Sequence, residues 1–109
     1  LIDIALENGE IRGPAGSGKV SAVARKDTSS VAAEILSHAK KWENQTLNLT
    51  GPEKLSMEEI VALLSKETGN AITYVDESVE EAYESRKKWP PQNWEYDAWV
   101  STYTAIKVG

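Results

Sequence analysis

Segments suited to β-strands occur singly in this chain, each fenced on both sides by helix-forming sequence. Val20 to Ala24, Thr46 to Thr50 and Ile72 to Val75 are the three candidates, and they start roughly 25 residues apart. An isolated pair of strands is marginal in water. The alternation therefore predicts an α/β layer whose strands expect a partner sheet elsewhere.

The helical segments between them carry their own start and stop signals. Leu1 to Asn8 places Ile2, Ala5 and Leu6 at helical spacing and stops at Gly9, reading as the last turns of a helix whose beginning is expected upstream. Ile11 to Lys19, with Gly13, Pro14, Gly16 and Gly18, reads as a turn-rich loop. Asp27 is the expected cap of a helix with Val31, Ala32, Ile35, Leu36 and Ala39 on one face, ending near Trp42. Gly51-Pro52 ends the second strand. Ser56-Met57-Glu58-Glu59 is a capping box, flanked by Leu55 and Ile60 as a hydrophobic staple, and Gly69 closes that helix. Ser78 to Glu81 repeats the box ahead of a helix that Pro90-Pro91 must end. Asn93 is the expected cap of a last helix towards Lys107, with Trp99, Tyr103 and Ile106 on one face.

Composition excludes several functions. The 109 residues suffice for one domain, 40% apolar and 27% charged, as in ordinary globular proteins. A net charge of −5 argues against binding a phosphate backbone or anionic lipid, so neither nucleic acid nor membrane is an expected partner. The chain has no cysteine, which removes disulfides, thiolate chemistry and cysteine-based zinc sites. No apolar run approaches the roughly 20 residues that span a bilayer. With no signal peptide at Leu1-Ile2-Asp3-Ile4, the expected compartment is the cytoplasm.

Several motifs resemble chemistry on spacing alone. Gly13-Pro14-Ala15-Gly16-Ser17-Gly18-Lys19 has the glycine and lysine spacing of a phosphate loop. Such a loop needs a strand before it and a helix after it, whereas Val20 to Ala24 reads as strand and Val20 holds the magnesium-ligand position. A glycine-rich loop is the better reading. Tyr83 and Lys87 have the spacing of a dehydrogenase tyrosine and lysine, yet in so charged a helix a solvated face explains them. His38, the only histidine, reads as a helix C-terminal dipole partner. Asp76, Glu77, Glu80, Glu81 and Glu84 read as the acidic first turns of a helix, with no metal expected. Trp89, Trp94, Tyr96, Trp99 and Tyr103 cluster around the Pro-Pro break, where they either pack a helical hairpin or line a pocket for a flat ligand.

Taken in order, these pieces resemble the extended and atypical short-chain dehydrogenases. Gly18 to Thr28 resembles a strand leading through a basic residue and an aspartate into a small-residue helix, Ser29 to Leu36. Thr46 to Glu53 followed by Leu55 to Ile60 is similar to that family's strand, glycine turn and capped helix. Gly69 to Val75 resembles the next glycine-to-strand step. Trp99 to Gly109 is similar to a late helix of NmrA-like, quinone-reductase-like members.

The resemblance implies an α/β fold, the C-terminal substrate-side part of an extended or atypical Rossmann-type dehydrogenase, with helices and a few short strands. Residues 1–109 would form a single substrate-side domain, with the N-terminal Rossmann domain that holds NAD(P) absent and acting as its partner. No G-x-G-x-x-G occurs here, so no cofactor is expected in this chain alone. No residue of the chain is assigned a catalytic role. Asp27 as helix cap and anchor, Gly51 as turn and Ser56 as cap carry over as structural anchors. Arg12, Trp94, Tyr96 and Trp99 are the substrate-pocket candidates, chosen on position and chemistry. The intact protein would then reduce a quinone-like or carbonyl substrate with NAD(P)H. A non-catalytic, NAD(P)-sensing regulatory protein is the alternative, and an independent interaction domain a third reading. An isolated chain of this kind is expected to be marginally stable, to aggregate, or to self-associate through the apolar face that the missing domain would cover.

Overall fold

A computed structural model describes residues 2–90 and 93–109, with the side chain of Asn93 outside the description. The helices are α1 (Ile2–Asn8), α2 (Arg25–Ser37), α3 (Ala39–Trp42), α4 (Met57–Thr68), α5 (Val79–Arg86) and α6 (Asn93–Val108). The strands are β1 (Glu10–Gly13), β2 (Lys19–Val20), β3 (Leu55–Ser56) and β4 (Thr73–Asp76). The chain forms two compact units, one of Leu1–Val20 with Leu55–Gly109, the other of Ser21–Lys54. The architecture is mixed α/β with short strands.

In the first unit, α1 stops where the sequence places its glycine. Gly9 adopts φ +71° and donates its amide to Ala5 O at 2.8 Å. The chain then enters β1, a strand inside the segment expected to be a loop. Its partner is β4, in parallel register with Ile11 opposite Tyr74 and Gly13 opposite Asp76. Four residues with a glycine at the end carry little strand signal of their own. A partner far along the chain supplies the ladder, and local propensity does not report it.

The first predicted strand is largely corrected. Only Lys19 and Val20 pair, antiparallel, with Ser56 and Leu55; Ser21 to Ala24 lie outside any ladder. The Ser56 capping box forms in full: Ser56 Oγ accepts from the Glu59 amide at 3.2 Å, and the Ser56 amide donates to Glu59 Oε2 at 2.7 Å. Gly69 ends α4 in the left-handed conformation, φ +69°. The Ser78 box opening α5 also forms in full. That helix ends at Arg86, ahead of Pro90, and Pro91 lies outside the described residues, as does the Asn93 side chain expected to cap α6.

Ala5, Ile11, Ala15, Met57, Val61, Ile72 and Tyr103 form the core of this unit. Trp99 and Ile106 pack against it together with Tyr103, the α6 face expected from the sequence. Two glycines let α6 come this close. A Cβ on Gly13 would sit 2.5 Å from Tyr103 Cδ1, and one on Gly18 would sit 2.0 Å from Ile106 O.

In the second unit α2 has no buried residue. Asp27 is not its cap: the helix begins at Arg25 behind Ala24, whose side chain makes no capping bond, so Asp27 is the third helical residue. There its charge still faces the free amides of the first turn. Helical hydrogen bonding breaks at His38, so the expected run to Trp42 becomes two helices. Thr46 to Thr50 forms no strand. One bond, Gly51 N–H to Ser21 O at 3.2 Å, joins the two extended segments, and a single bond does not make a ladder. Gly51 does sit at a close approach, since a Cβ there would lie 2.0 Å from Ala22 O. No helix among the described residues is long and apolar enough to cross a membrane.

These contacts rank the substitutions. Ser56→Ala should cost about 1 kcal/mol through loss of the cap. Gly18→Ala, which forces α6 off its seat, should cost more, about 2–3 kcal/mol. Urea denaturation of the two variants checks the order, and equal losses would contradict the close approach at Gly18.

Candidate functional site

The end of β4 and the start of α5 place Glu77 between a strand and a helix cap. Its amide donates to Gly13 O at 3.3 Å, extending the ladder past Asp76, and Ser78 begins the capping box immediately after it. The side chain is therefore directed by backbone bonded on both sides. It is 5% exposed, and Arg86, from the last turn of α5, is 2% exposed.

Glu77 lies between two guanidinium groups. Arg12 Nε donates to Oε1 at 2.8 Å and Arg86 Nη1 to Oε2 at 3.1 Å. Arg86 also donates from Nη1 to Ala82 O and from Nη2 to Arg12 O, both at 2.8 Å. Arg12 in turn donates from Nη1 to Glu10 Oε1 at 3.1 Å. Burial pushes the Glu77 carboxyl up, but Arg12, Ser85 and Arg86 together outweigh it and hold the group below the usual carboxylate range. The same carboxylates raise the Arg12 guanidinium further.

Arg86 then fixes the aromatic side of the site. Its Cζ lies 4.8 Å from the Trp99 ring centroid and 5.6 Å from that of Tyr103. Trp99 meets Trp89 with centroids 5.5 Å apart and planes inclined at 42°, and Lys88 Nζ stands 4.4 Å from the Trp89 centroid. These groups, with Ile4 and Ile11 opposite, line a cleft of about 30 Å³. That is room for a water or two, well short of the roughly 300–1,000 Å³ of a cofactor-sized pocket.

Of the four residues expected at a pocket, Arg12 and Trp99 line this cleft. Tyr96 supports it from behind, donating its hydroxyl to Trp89 O at 2.8 Å. Trp94 is 63% exposed and does not line it. Sequence reading missed Glu77 and Arg86. Glu77 was grouped with the exposed acids of α5, and the available signal was its place before the Ser78 cap, outside the helix.

The glycine loop is not built for phosphate. The Ala15 amide donates to Tyr74 Oη at 3.0 Å and the Gly16 amide to Asp76 Oδ1 at 2.8 Å, so a carboxylate already occupies the place an anion would take. The Tyr74 hydroxyl lies 2.5 Å from Gly13 O and 3.0 Å from Asp76 Oδ1, and burial pushes its pKa up to about 12. The loop leads into β2 rather than into a helix. This loop therefore does not fit the pyrophosphate of a dinucleotide. Tyr83 and Lys87 each engage another partner. Tyr83 donates to Asp97 Oδ1 at 2.7 Å, a bond that pushes its phenol up, away from the range a proton donor needs, while Lys87 pairs with Glu84. No group of three metal-ligating side chains occurs among the described residues.

Removing the negative charge from the Glu77 pair tests its role in stability. Glu77→Gln leaves two cations facing an uncharged amide and should cost about 3 kcal/mol. The depressed pKa contributes stability that is fully present above the unfolded-state value near 4.3 and is lost as pH falls through the lower folded value. Thermal melts from pH 6 downward should show that acid-dependent loss in the parent protein and a shallower one in Glu77→Gln.

Comparison with known proteins gives this geometry its setting. The chain is 40% identical over 76 residues to the NAD(P)H azoreductase of Xenophilus azovorans, covering 70% of this chain and 26% of that protein. It is 34% identical over 70 residues to quinone oxidoreductase 2 of Escherichia coli (strain K12), covering 64% of this chain and 24% of that one. Among solved structures, the triphenylmethane reductase of Citrobacter sp. complexed with NADP(H) superposes with a TM-score of 0.87 at 27% identity, over 99% of this chain and 38% of that chain. An NADPH-dependent quinone oxidoreductase from Escherichia coli superposes with the same TM-score at 26% identity, over 99% of this chain and 39% of that chain. The chain thus spans about a quarter of the length of the curated relatives it matches. The sequence pattern of the NmrA-like family covers residues 5–94, and the chain belongs to that family.

Proposed function

We propose that this chain is the substrate-side part of an NAD(P)H-dependent oxidoreductase that reduces a planar conjugated acceptor, a quinone or a carbonyl compound. One observation carries the reading: the chain matches a quarter of proteins named NAD(P)H azoreductase and quinone oxidoreductase, while its own glycine-loop amides are taken up by Tyr74 and Asp76. The dinucleotide is then held by a nucleotide-binding part outside these 109 residues. The relatives' names point to azo, quinone and triphenylmethane compounds, all built on aromatic or quinonoid rings. Such molecules suit a wall made of Trp89 and Trp99 backed by Arg86.

The uncovered α2 supports the same division. Its apolar side includes Leu36, 79% exposed, an arrangement expected of a helix that packs on another domain. In this reading the nucleotide-binding part is the chain's principal partner. Hydride transfer requires the nicotinamide to be held in place, so these residues alone should not turn over. Their task is to orient the acceptor and keep water from it.

The full-length protein should oxidise NAD(P)H in the presence of menadione, followed by loss of nicotinamide absorbance. Trp99→Ala should lower kcat/KM on the order of tenfold, with most of the change in KM. Cofactor binding without turnover on any quinone, azo or carbonyl acceptor would instead make the protein a dinucleotide sensor.

A further inference from the structure

The cleft is cationic although the chain is acidic. Arg12, Arg86 and Lys88 stand on its wall against two carboxylates, Glu10 and Glu77, which leaves one net positive charge in a chain of net charge −5. The charges are arranged by depth. Arg86 is buried behind Trp99, whereas Lys88 is exposed and sits over the outer face of Trp89.

A second, independent feature marks the inner end. Arg86 Nε is buried and has no hydrogen-bond acceptor among the described residues, although both Nη atoms of the same group are engaged. A buried guanidinium N–H left without an acceptor is costly, and native structures seldom keep one without a water or ligand oxygen to receive it. The cleft that Arg86 lines, about 30 Å³, admits a head-group oxygen or two and excludes an aromatic ring.

Resting on the acceptor-side reading given above, we propose that the cleft selects aromatic ligands that carry an anionic oxygen group. A carboxylate or phenolate oxygen enters towards Arg86 and Arg12, and the ring lies at the mouth beside Trp89 and the Lys88 ammonium that covers it. A charged acceptor strengthens a guanidinium hydrogen bond relative to a neutral one of the same shape. Lys88 adds attraction at the rim, where salt weakens it.

The test compares two ligands that differ only in the charge of the head group. Naphthoate and naphthamide are titrated into the full-length protein and followed by tryptophan fluorescence, since Trp89 and Trp99 line the site. Naphthoate should bind about tenfold more tightly than naphthamide. Lys88→Gln, at an exposed position that leaves the buried pair intact, should reduce that preference about threefold, as should raised salt. Equal affinities, a preference for the amide, or no binding of either ligand would overturn the proposal. Menadione turnover is measured on the same sample, because menadione is uncharged. Turnover without a charge preference defeats the selectivity alone, and a charge preference without turnover defeats the reductase reading alone.

Discussion

The salt bridge between Glu77 and Arg86 orders the unit around it, because neither partner can be buried without the other. A lone carboxylate or guanidinium at this depth would meet a desolvation penalty of several kcal/mol. Together, with Arg12 at the second carboxylate oxygen, they tie three parts of the chain into one arrangement. The Arg86 bond to Arg12 O holds β1, the bond to Ala82 O holds α5, and the guanidinium face holds Trp99 and Tyr103 of α6. A parallel pair of four-residue strands is weak by itself, so this side-chain bracket carries much of what the ladder does not. The same bracket makes the candidate site a rigid wall rather than a collection of surface aromatics.

The glycine loop shows how one spacing serves two kinds of physics. Gly13 and Gly18 are spaced like residues that cradle phosphate, yet here each leaves room for α6, one beneath the Tyr103 ring and the other beneath the Ile106 carbonyl. The loop amides that would have received an anion instead donate to Tyr74 and Asp76. In this loop packing stands in place of phosphate binding.

The second unit presents the opposite balance. Its helix α2 carries an apolar face and no buried residue, and its extended segments share one backbone bond. A strand-forming sequence such as Thr46 to Thr50 adopts a ladder only when a neighbour offers its free amides and carbonyls. The sequence has the strand rhythm, but no described segment offers Thr46 to Thr50 a ladder.

What the sequence determined by itself was what depends on near neighbours. Both capping boxes, the glycine stops at Gly9 and Gly69, and the buried face of α6 were all legible, because each rests on contacts within a turn or two. The NmrA-like kinship was legible for the same reason, through the run from Asn48 to Ile60. Arg12 and Trp99, named as pocket candidates, do line the cleft, while Trp94 lies outside it and Glu77 and Arg86 were passed over. Only the tertiary structure decided those points, along with β1 and the shortened β2. The physical reason is common to all of them: burial of a charge, or pairing of a strand, is a property of a partner far along the chain, and no local spacing encodes it.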